Sequence, residues 1–181
     1  VMEQVGSPQF YRPLLQLMAD ADASVSAAAL QAAGAVAAPQ LWPVMVEALT
    51  RPAQQRAAVA ALARVGAPAL PALDALRQHP GLAEPTRLAL VDTHRRMGLP
   101  AGDQRLVAQL DDPSRAVCQR ALRALWQRRH RVPPEQAQGL WARVLDEVDH
   151  AAAALAARRS LATAAAREVA PGYAFGPDTT W

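Results

Sequence analysis

Apolar residues recur at helical spacing in short runs along the chain, and glycine, proline and aspartate separate the runs. Three glycines, Gly34, Gly66 and Gly98, each follow such a run, and they lie 32 residues apart twice over. Glycine suits the left-handed residue that commonly ends a helix. The pattern therefore predicts three helices that end in register within an internal repeat.

Prolines mark the starts of the preceding helices. Pro13, Pro43 and Pro71 each stand before an apolar run, and proline is tolerated in the first turn of a helix because its missing N–H would have no partner there. We expect each repeat to hold two helices joined by a turn. The predicted helical pairs cover residues 9–36, 40–65, 68–97 and 103–130, and a C-terminal helical pair covers 134–169. The tail 170–181 is expected to be extended or disordered.

Composition makes the predicted fold all-α. The 181 residues include 43 alanines and no lysine, isoleucine or asparagine, and aromatic residues make up only 4%. Alanine, leucine and arginine favour helices, whereas strands favour isoleucine, threonine and aromatic residues. A single helical pair cannot bury its apolar face, so each pair must stack on the next. We therefore expect one all-α domain over residues 1–169, with alanine allowing neighbouring helices to approach closely.

The repeat resembles the HEAT family. The resemblance rests on Pro13-Leu14-Leu15, the turn Asp20-Ala21-Asp22, Val25 and the run from Ala27 to Gly34, and it extends to about Arg131, although the usual HEAT unit has about forty or more residues. It implies a right-handed α-solenoid of about four HEAT-like helical pairs plus the C-terminal pair, with the second helices lining an inner, partner-binding surface. The units are also similar to the soluble HEAT segments of bacterial nucleotide-transporter-like membrane proteins.

Positive charge is unevenly distributed along this predicted surface. The net charge is +3, but residues 101–131 hold seven arginines against three acids. Arg120 and Arg123 fall on one face of a predicted second helix, and Arg95 and Arg56 are placed to extend that face into earlier units. The arginine fork suits carboxylates and phosphates. Three interpretations remain open: a solvated helix face, a docking surface for an acidic protein segment, and a contact with nucleic-acid or nucleotide phosphate, which the scarcity of aromatic residues disfavours.

No motif in the chain predicts catalysis. The four histidines are far apart, no Cys/His pair has ligand spacing, and neither a phosphate-binding Gly-Lys loop nor a Gly-x-Ser-x-Gly elbow is present. We therefore expect no catalytic residue, no cofactor and no metal ion. His94 falls where the earlier units carry Leu30 and Leu62, so we expect a half-buried packing histidine, and Cys118 is expected to be a buried packing cysteine.

These features predict a non-enzymatic protein–protein interaction or scaffold module, with Arg56, Arg95, Arg120 and Arg123 as partner contacts and an unidentified, preferably acidic, protein as the partner. The alternatives are a soluble regulatory HEAT domain of a larger membrane transporter-like protein and a nucleic-acid-binding HEAT-like protein. The single cysteine indicates a reducing compartment. We expect a cytoplasmic location, or tethering to a membrane through a longer parent chain, because the apolar stretch Ala151 to Ala166 is interrupted by arginines and is unsuited to insertion.

Overall fold

The computed structural model describes residues 11–128 and 134–168, and every regular element in these two ranges is helical. The α-helices are α1 Tyr11–Met18, α2 Ala23–Val36, α3 Trp42–Glu47, α4 Pro52–Val65, α5 Leu70–Arg77, α6 Glu84–Met97, α7 Pro100–Ala108, α8 Arg115–Gln127 and α9 Pro134–Glu168. Short 3-10 turns cover Pro39–Leu41, Ala48–Thr50, Ala67–Ala69 and Gln109–Asp111. The all-α prediction is confirmed for the part of the chain that the structure describes.

Short and long helices alternate up to residue 128. The even-numbered helices α2, α4 and α6 have 14 residues each and α8 has 13, whereas α1, α3, α5 and α7 have between 6 and 9. The residues that precede the even-numbered helices are Asp22, Arg51, Ala83 and Ser114, which are 29, 32 and 31 residues apart. The four predicted helical pairs before residue 131 correspond in order to α1–α2, α3–α4, α5–α6 and α7–α8.

Local sequence explains how these long helices begin. The Asp22 carboxylate accepts a hydrogen bond from the Ser24 backbone N–H at 2.7 Å, and the Ser114 hydroxyl accepts one from the Val117 N–H at 3.5 Å. Such caps satisfy donors that have no partner inside the helix. At the start of α4, Pro52 occupies the first turn instead, where no donor is lost. Polar caps and prolines together fix the starts of the repeated helices.

The glycine register predicted from the sequence is wrong at Gly34. Gly66 and Gly98 do follow their helices with φ of 76° and 70°, but α2 continues through Gly34, and its left-handed terminal residue is Ala37 with φ 53°. Gly34 instead lies against α4, where an added Cβ would come within 2.7 Å of the Ala61 Cα. Close helix contact, not helix termination, requires glycine at this position.

The core lies mainly where the long helices pack on one another. Helix α2 packs against α4, α4 against α6, and α6 against α8. Leu30, Leu62 and Leu90 are fully buried at 0% exposure, and alanines such as Ala58 and Ala61 are also buried between them. Small and large apolar side chains therefore alternate through the core, as expected for close packing. Each long helix contributes both kinds of residue to this core.

The predicted C-terminal helical pair is wrong. Residues Pro134–Glu168 form a single helix of 35 residues. No proline or asparagine interrupts this stretch after its start, and the acidic residues before Ala151 lead directly into an alanine run. Alanine has the highest helix propensity, so the helix continues where a turn was expected. The predicted tail 170–181 lies outside the described residues.

The chain divides into two compact units, Val1–His130 and Arg131–Trp181. The sequence predicted instead one domain over residues 1–169. Among the described residues, no single helix has the length and hydropathy of a membrane span, and one bent pair, Pro52–Val65 with Ala67–Arg77 at 116°, reaches both only in combination.

Candidate functional site: an arginine-lined groove

The long helices α4, α6 and α8 form a groove of about 410 Å³ within the first unit. Four arginines line it: Arg56 from α4, Arg95 and Arg96 from α6, and Arg120 from α8. The apolar part of its lining includes Val59 and Leu88. A repeated helix arrangement thus brings cationic groups together from three successive units.

Asp92 of α6 is the single acidic residue in the lining of this groove. Its Oδ2 accepts a hydrogen bond from Arg120 Nη1 at 2.7 Å, and its Oδ1 lies 3.8 Å from Arg95 Nε. Arg56 and Arg96 are exposed and form no ion pair with any residue in the described ranges. Four guanidinium groups and one carboxylate give the groove a net positive charge, and Asp92 orients two of the four.

The structure brings together three of the four arginines predicted as partner contacts. Arg56, Arg95 and Arg120 share the groove, and Arg96 joins them. Arg123 is exposed on α8 but does not line the groove. It follows Arg120 by three residues, a step of about 300° that leaves the two side chains about 60° apart around the helix.

Asp92 is the groove residue that sequence reasoning missed. Its spacing of three residues before Arg95 was a visible signal for a local ion pair. Its pairing with Arg120, 28 residues further on, depends on how α6 and α8 stack. That contact could not be read from the spacing of charges along the chain.

Two further arginines of residues 101–131 are paired with carboxylates from neighbouring helices. Arg105 binds Asp74 of α5 through two nitrogens, with Nε to Oδ1 at 2.9 Å and Nη2 to Oδ2 at 2.5 Å. Arg128 binds Asp103 of α7 in the same two-pronged way, and this hydrogen bonding raises the pKa of Arg128 above its ordinary value. The positive charges of Arg105 and Arg128 are therefore balanced by neighbouring carboxylates.

A second cavity of about 380 Å³ lies beside the turns of the last two helical pairs in this unit. Its lining contains Arg77, Arg87, Asp111 and Asp112, and Arg87 Nη1 forms an ion pair with Asp112 Oδ1 at 3.1 Å. Opposite charges therefore balance here. Of these two cavities, the first groove has the net positive lining.

His94 is buried more deeply than the sequence predicted. It is 0% exposed, and burial lowers its pKa from 6.5 to about 4, with a further lowering by Arg105 that opposes a rise caused by Asp74. The Gln109 amide nitrogen lies 3.4 Å from His94 Nδ1. Neither His94 Nε2 nor Gln109 Oε1 has a hydrogen-bond partner among the residues described. His94 is thus a neutral packing residue at neutral pH.

Cys118 is half-buried in the first turn of α8. Its thiol donates to the carbonyl oxygens of Asp112 and Leu110, at 3.1 and 3.3 Å. These contacts favour the protonated thiol, since a thiolate cannot donate. Within residues 11–128 and 134–168, no three His, Cys, Asp or Glu residues are grouped as a metal site would require.

No family model, curated protein or solved structure matches the chain. The geometry of the first unit is therefore the basis for a functional argument. Its groove offers planar cationic donors above an apolar surface, an arrangement that can bind carboxylate or phosphate groups.

Proposed function

We propose that the Val1–His130 unit is a HEAT-like α-solenoid that acts as a non-enzymatic interaction module, and that its arginine-lined groove binds an acidic segment of a partner protein. The observation that carries this proposal is the convergence of Arg56, Arg95, Arg96 and Arg120 in one groove. Three separate helices supply these residues, so stacking of the repeated units is what creates the site.

The solenoid part of the proposal is supported by the order of helix contacts. Long helices begin at intervals of 29 to 32 residues, and each packs against the long helix of the next pair. A stack in which each unit contacts its neighbours is typical of repeat proteins. In the proposed solenoid, α4, α6 and α8 line the inner surface and the groove lies on it.

The chemistry of the groove favours an acidic peptide as its ligand. Asp92 already shows one carboxylate bound between Arg120 and Arg95, while Arg56 and Arg96 extend the cationic lining beyond it. Val59 and Leu88 add apolar surface. Acidic side chains interspersed with apolar ones would satisfy both parts of this lining.

Nucleic acid fits this groove less well. No aromatic side chain is among the groove residues, so bases would have no stacking surface of the kind that single-strand binders provide. Trp126 is 83% exposed on α8 but lies outside the groove. The ion pairs of Arg105 and Arg128 also remove two cations from any extended phosphate-binding surface.

A fluorescence-anisotropy titration tests the proposal. The probe is a short labelled peptide of glutamate and leucine, and the same peptide with glutamine in place of glutamate is its uncharged control. We expect the double variant Arg56→Ala with Arg120→Ala to weaken binding about tenfold, because two charge-assisted contacts are lost. The matched control is Arg64→Ala with Arg123→Ala, which removes equal charge from the same two helices outside the groove.

The outcomes separate a specific groove from general electrostatic attraction. Equal weakening by the two double variants would contradict a groove site. Asp92→Asn should strengthen binding about threefold, because it removes the carboxylate that competes for Arg120. A labelled DNA duplex serves as the third probe: if it binds more tightly than the acidic peptide and responds to the groove variants, nucleic acid replaces the proposed ligand.

A further inference from the structure

Two of the four groove arginines can bind a ligand without giving up an existing ion pair. Asp92 already binds Arg120 at 2.7 Å and lies 3.8 Å from Arg95. Arg56 of α4 and Arg96 of α6 line the same groove, are exposed, and form no ion pair with a described residue. Their guanidinium groups are therefore the ones that a ligand engages at the lowest cost. We call Arg56 and Arg96 the two anchors.

The two anchors lie toward opposite ends of the groove. The Gln55 amide nitrogen donates to the Pro85 carbonyl oxygen at 3.2 Å, so the first turns of α4 and α6 lie side by side, and the two helices pack on each other from there. Arg56 follows Gln55 by one residue, and Arg96 follows Pro85 by eleven. The anchors are therefore about 15 Å apart along the helix axes. The spacing of packed helices, about 9 Å, makes the distance between their backbones about 17 Å.

Apolar side chains occupy the groove between the two anchors. Val59 follows Arg56 by three residues, and Leu88 precedes Arg96 by eight. Val59 and Ala89 are buried in the lining, and Leu88 is half-buried beside them. A ligand carboxylate above these side chains would lose water without gaining a hydrogen bond, whereas an apolar side chain would itself be removed from water. The groove thus has a free cation toward each end and an apolar middle.

We propose that the groove recognises an extended segment that has two acidic residues on one side, four to six positions apart, and an apolar residue between them on the same side. Side chains alternate along an extended chain, which advances about 3.3 Å per residue, so even spacings of four and six residues span about 13 and 20 Å. These spans bracket the distance between the two anchors. A helix would need about eleven residues to cover it, and short helices are unstable in isolation. This inference rests on the proposed function, because it specifies the acidic segment that the same groove binds.

Peptides of equal composition test the spacing. Each holds two glutamates among leucine and serine residues, with the glutamates two, four or six positions apart. We expect the better of the four- and six-position peptides to bind the full chain about tenfold more tightly than the two-position peptide, because it reaches both anchors. The measurement is a fluorescence-anisotropy titration. Equal affinities of all three peptides overturn the inference.

Single substitutions test the assignment of the two anchors. Arg56→Ala and Arg96→Ala should each lower the affinity of the better peptide to about that of the two-position peptide, because one carboxylate then lacks its partner. The two-position peptide engages one anchor at a time, so each substitution should weaken it only about twofold. Arg64→Ala is the matched control, since Arg64 is exposed on α4 outside the groove. An equal response of both peptides to Arg56→Ala contradicts the assignment.

The residue between the two glutamates separates this recognition from general electrostatic attraction. Leucine at that position should bind about fivefold more tightly than a third glutamate, because the groove is apolar between the anchors, and Leu88→Ser should reduce this preference. Attraction to net positive charge alone gives the opposite order, which overturns the inference. Loss of the spacing preference, with binding still sensitive to Arg56→Ala, removes this inference and leaves the proposed function in place. Absence of binding by every peptide removes both.

Discussion

The two ends of the first unit are held together by different chemistry. We call helices α2 to α4 the apolar end and helices α5 to α8 the ionic end. Between α2 and α4, packing is apolar and close, and Gly34 lies directly on the backbone of Ala61. Between α5 and α8, aspartates and arginines on different helices form ion pairs, of which Arg105 with Asp74 is a well-formed example. Within residues 11–66, the structure contains one ion pair, the local contact of Arg51 with Glu47.

This difference shows why charge counted along the chain misplaces the basic surface. Residues 101–131 have a surplus of four positive charges, but Arg105 and Arg120 pair with Asp74 and Asp92, which both lie in the preceding helical pair, α5–α6. Because stacked units exchange ion pairs, the acids and bases of one contact are counted in different segments. The net positive groove therefore spans three units instead of occupying the fourth.

The largest predicted loss of stability comes from a substitution at the close contact between α2 and α4. In Gly34→Ala, the new Cβ would lie 2.7 Å from the Ala61 Cα and 2.8 Å from its carbonyl oxygen. Both are backbone atoms, so α2 and α4 must separate, and we expect the free energy of unfolding to fall by about 3 kcal/mol in urea titrations. Gly139→Ala is the control, since nothing lies within 4 Å of its added Cβ, and it should not destabilise α9. A loss below about 1 kcal/mol for Gly34→Ala would contradict a rigid contact.

The next effect comes from His94, where the ionic end meets the core. The unfolded chain binds a proton at this residue below pH 6.5, whereas the folded protein does so only near its pKa of about 4. Stability contributed by neutral His94 is therefore fully present above pH 6.5 and declines as the pH falls. We expect a loss of about 2 kcal/mol between pH 8 and pH 5.

His94→Leu is the matched variant for this measurement, because Leu62 occupies the corresponding position one repeat earlier. Carboxylates titrate in both proteins, so the difference between the two pH profiles reports on His94. Identical slopes from pH 8 to pH 5 would mean that the buried imidazole binds its proton without a penalty.

The smallest effect concerns the ion pair between α5 and α7. Arg105→Ala leaves Asp74 partly buried without its cation, and we expect a loss of about 1–2 kcal/mol in the free energy of unfolding. The pKa of His94 should also rise, because Arg105 lowers it and Asp74, which remains, raises it. Arg64→Ala removes an exposed arginine from the apolar end, and we expect a change within about 0.5 kcal/mol. Equal losses would remove the contrast between the two ends.

Secondary structure was predictable where a residue type has a single local role, such as favouring a helix or starting one. Alanine content predicted the helices, and Pro43 and Pro71 correctly marked the starts of short ones. The glycine spacing failed at Gly34 because glycine has two uses, to end a helix and to allow close contact, and sequence spacing does not distinguish them. The expected turn within α9 failed because acidic residues next to alanine are compatible with a continuing helix.

The candidate groove was predictable in part. Helical periodicity correctly placed Arg120 on a face shared with Arg56 and Arg95, but it placed Arg123 there as well. Helical periodicity predicts the direction of a side chain around the helix axis only to within about 100°, the rotation between consecutive residues. Whether a side chain lines the groove also depends on the position of the neighbouring helix. The residues of that helix that contact it lie about 30 positions away in the sequence, as Asp92 does from Arg120.

The thiol of Cys118 can report how often the turn between α7 and α8 opens. It is the single cysteine of the chain, and it is half-buried with its hydrogen donated to Asp112 and Leu110. A thiol in this state reacts with an alkylating reagent only after the turn has opened and the proton has left. The alkylation rate of the unmodified protein therefore counts local openings of one junction between helices, without any introduced label.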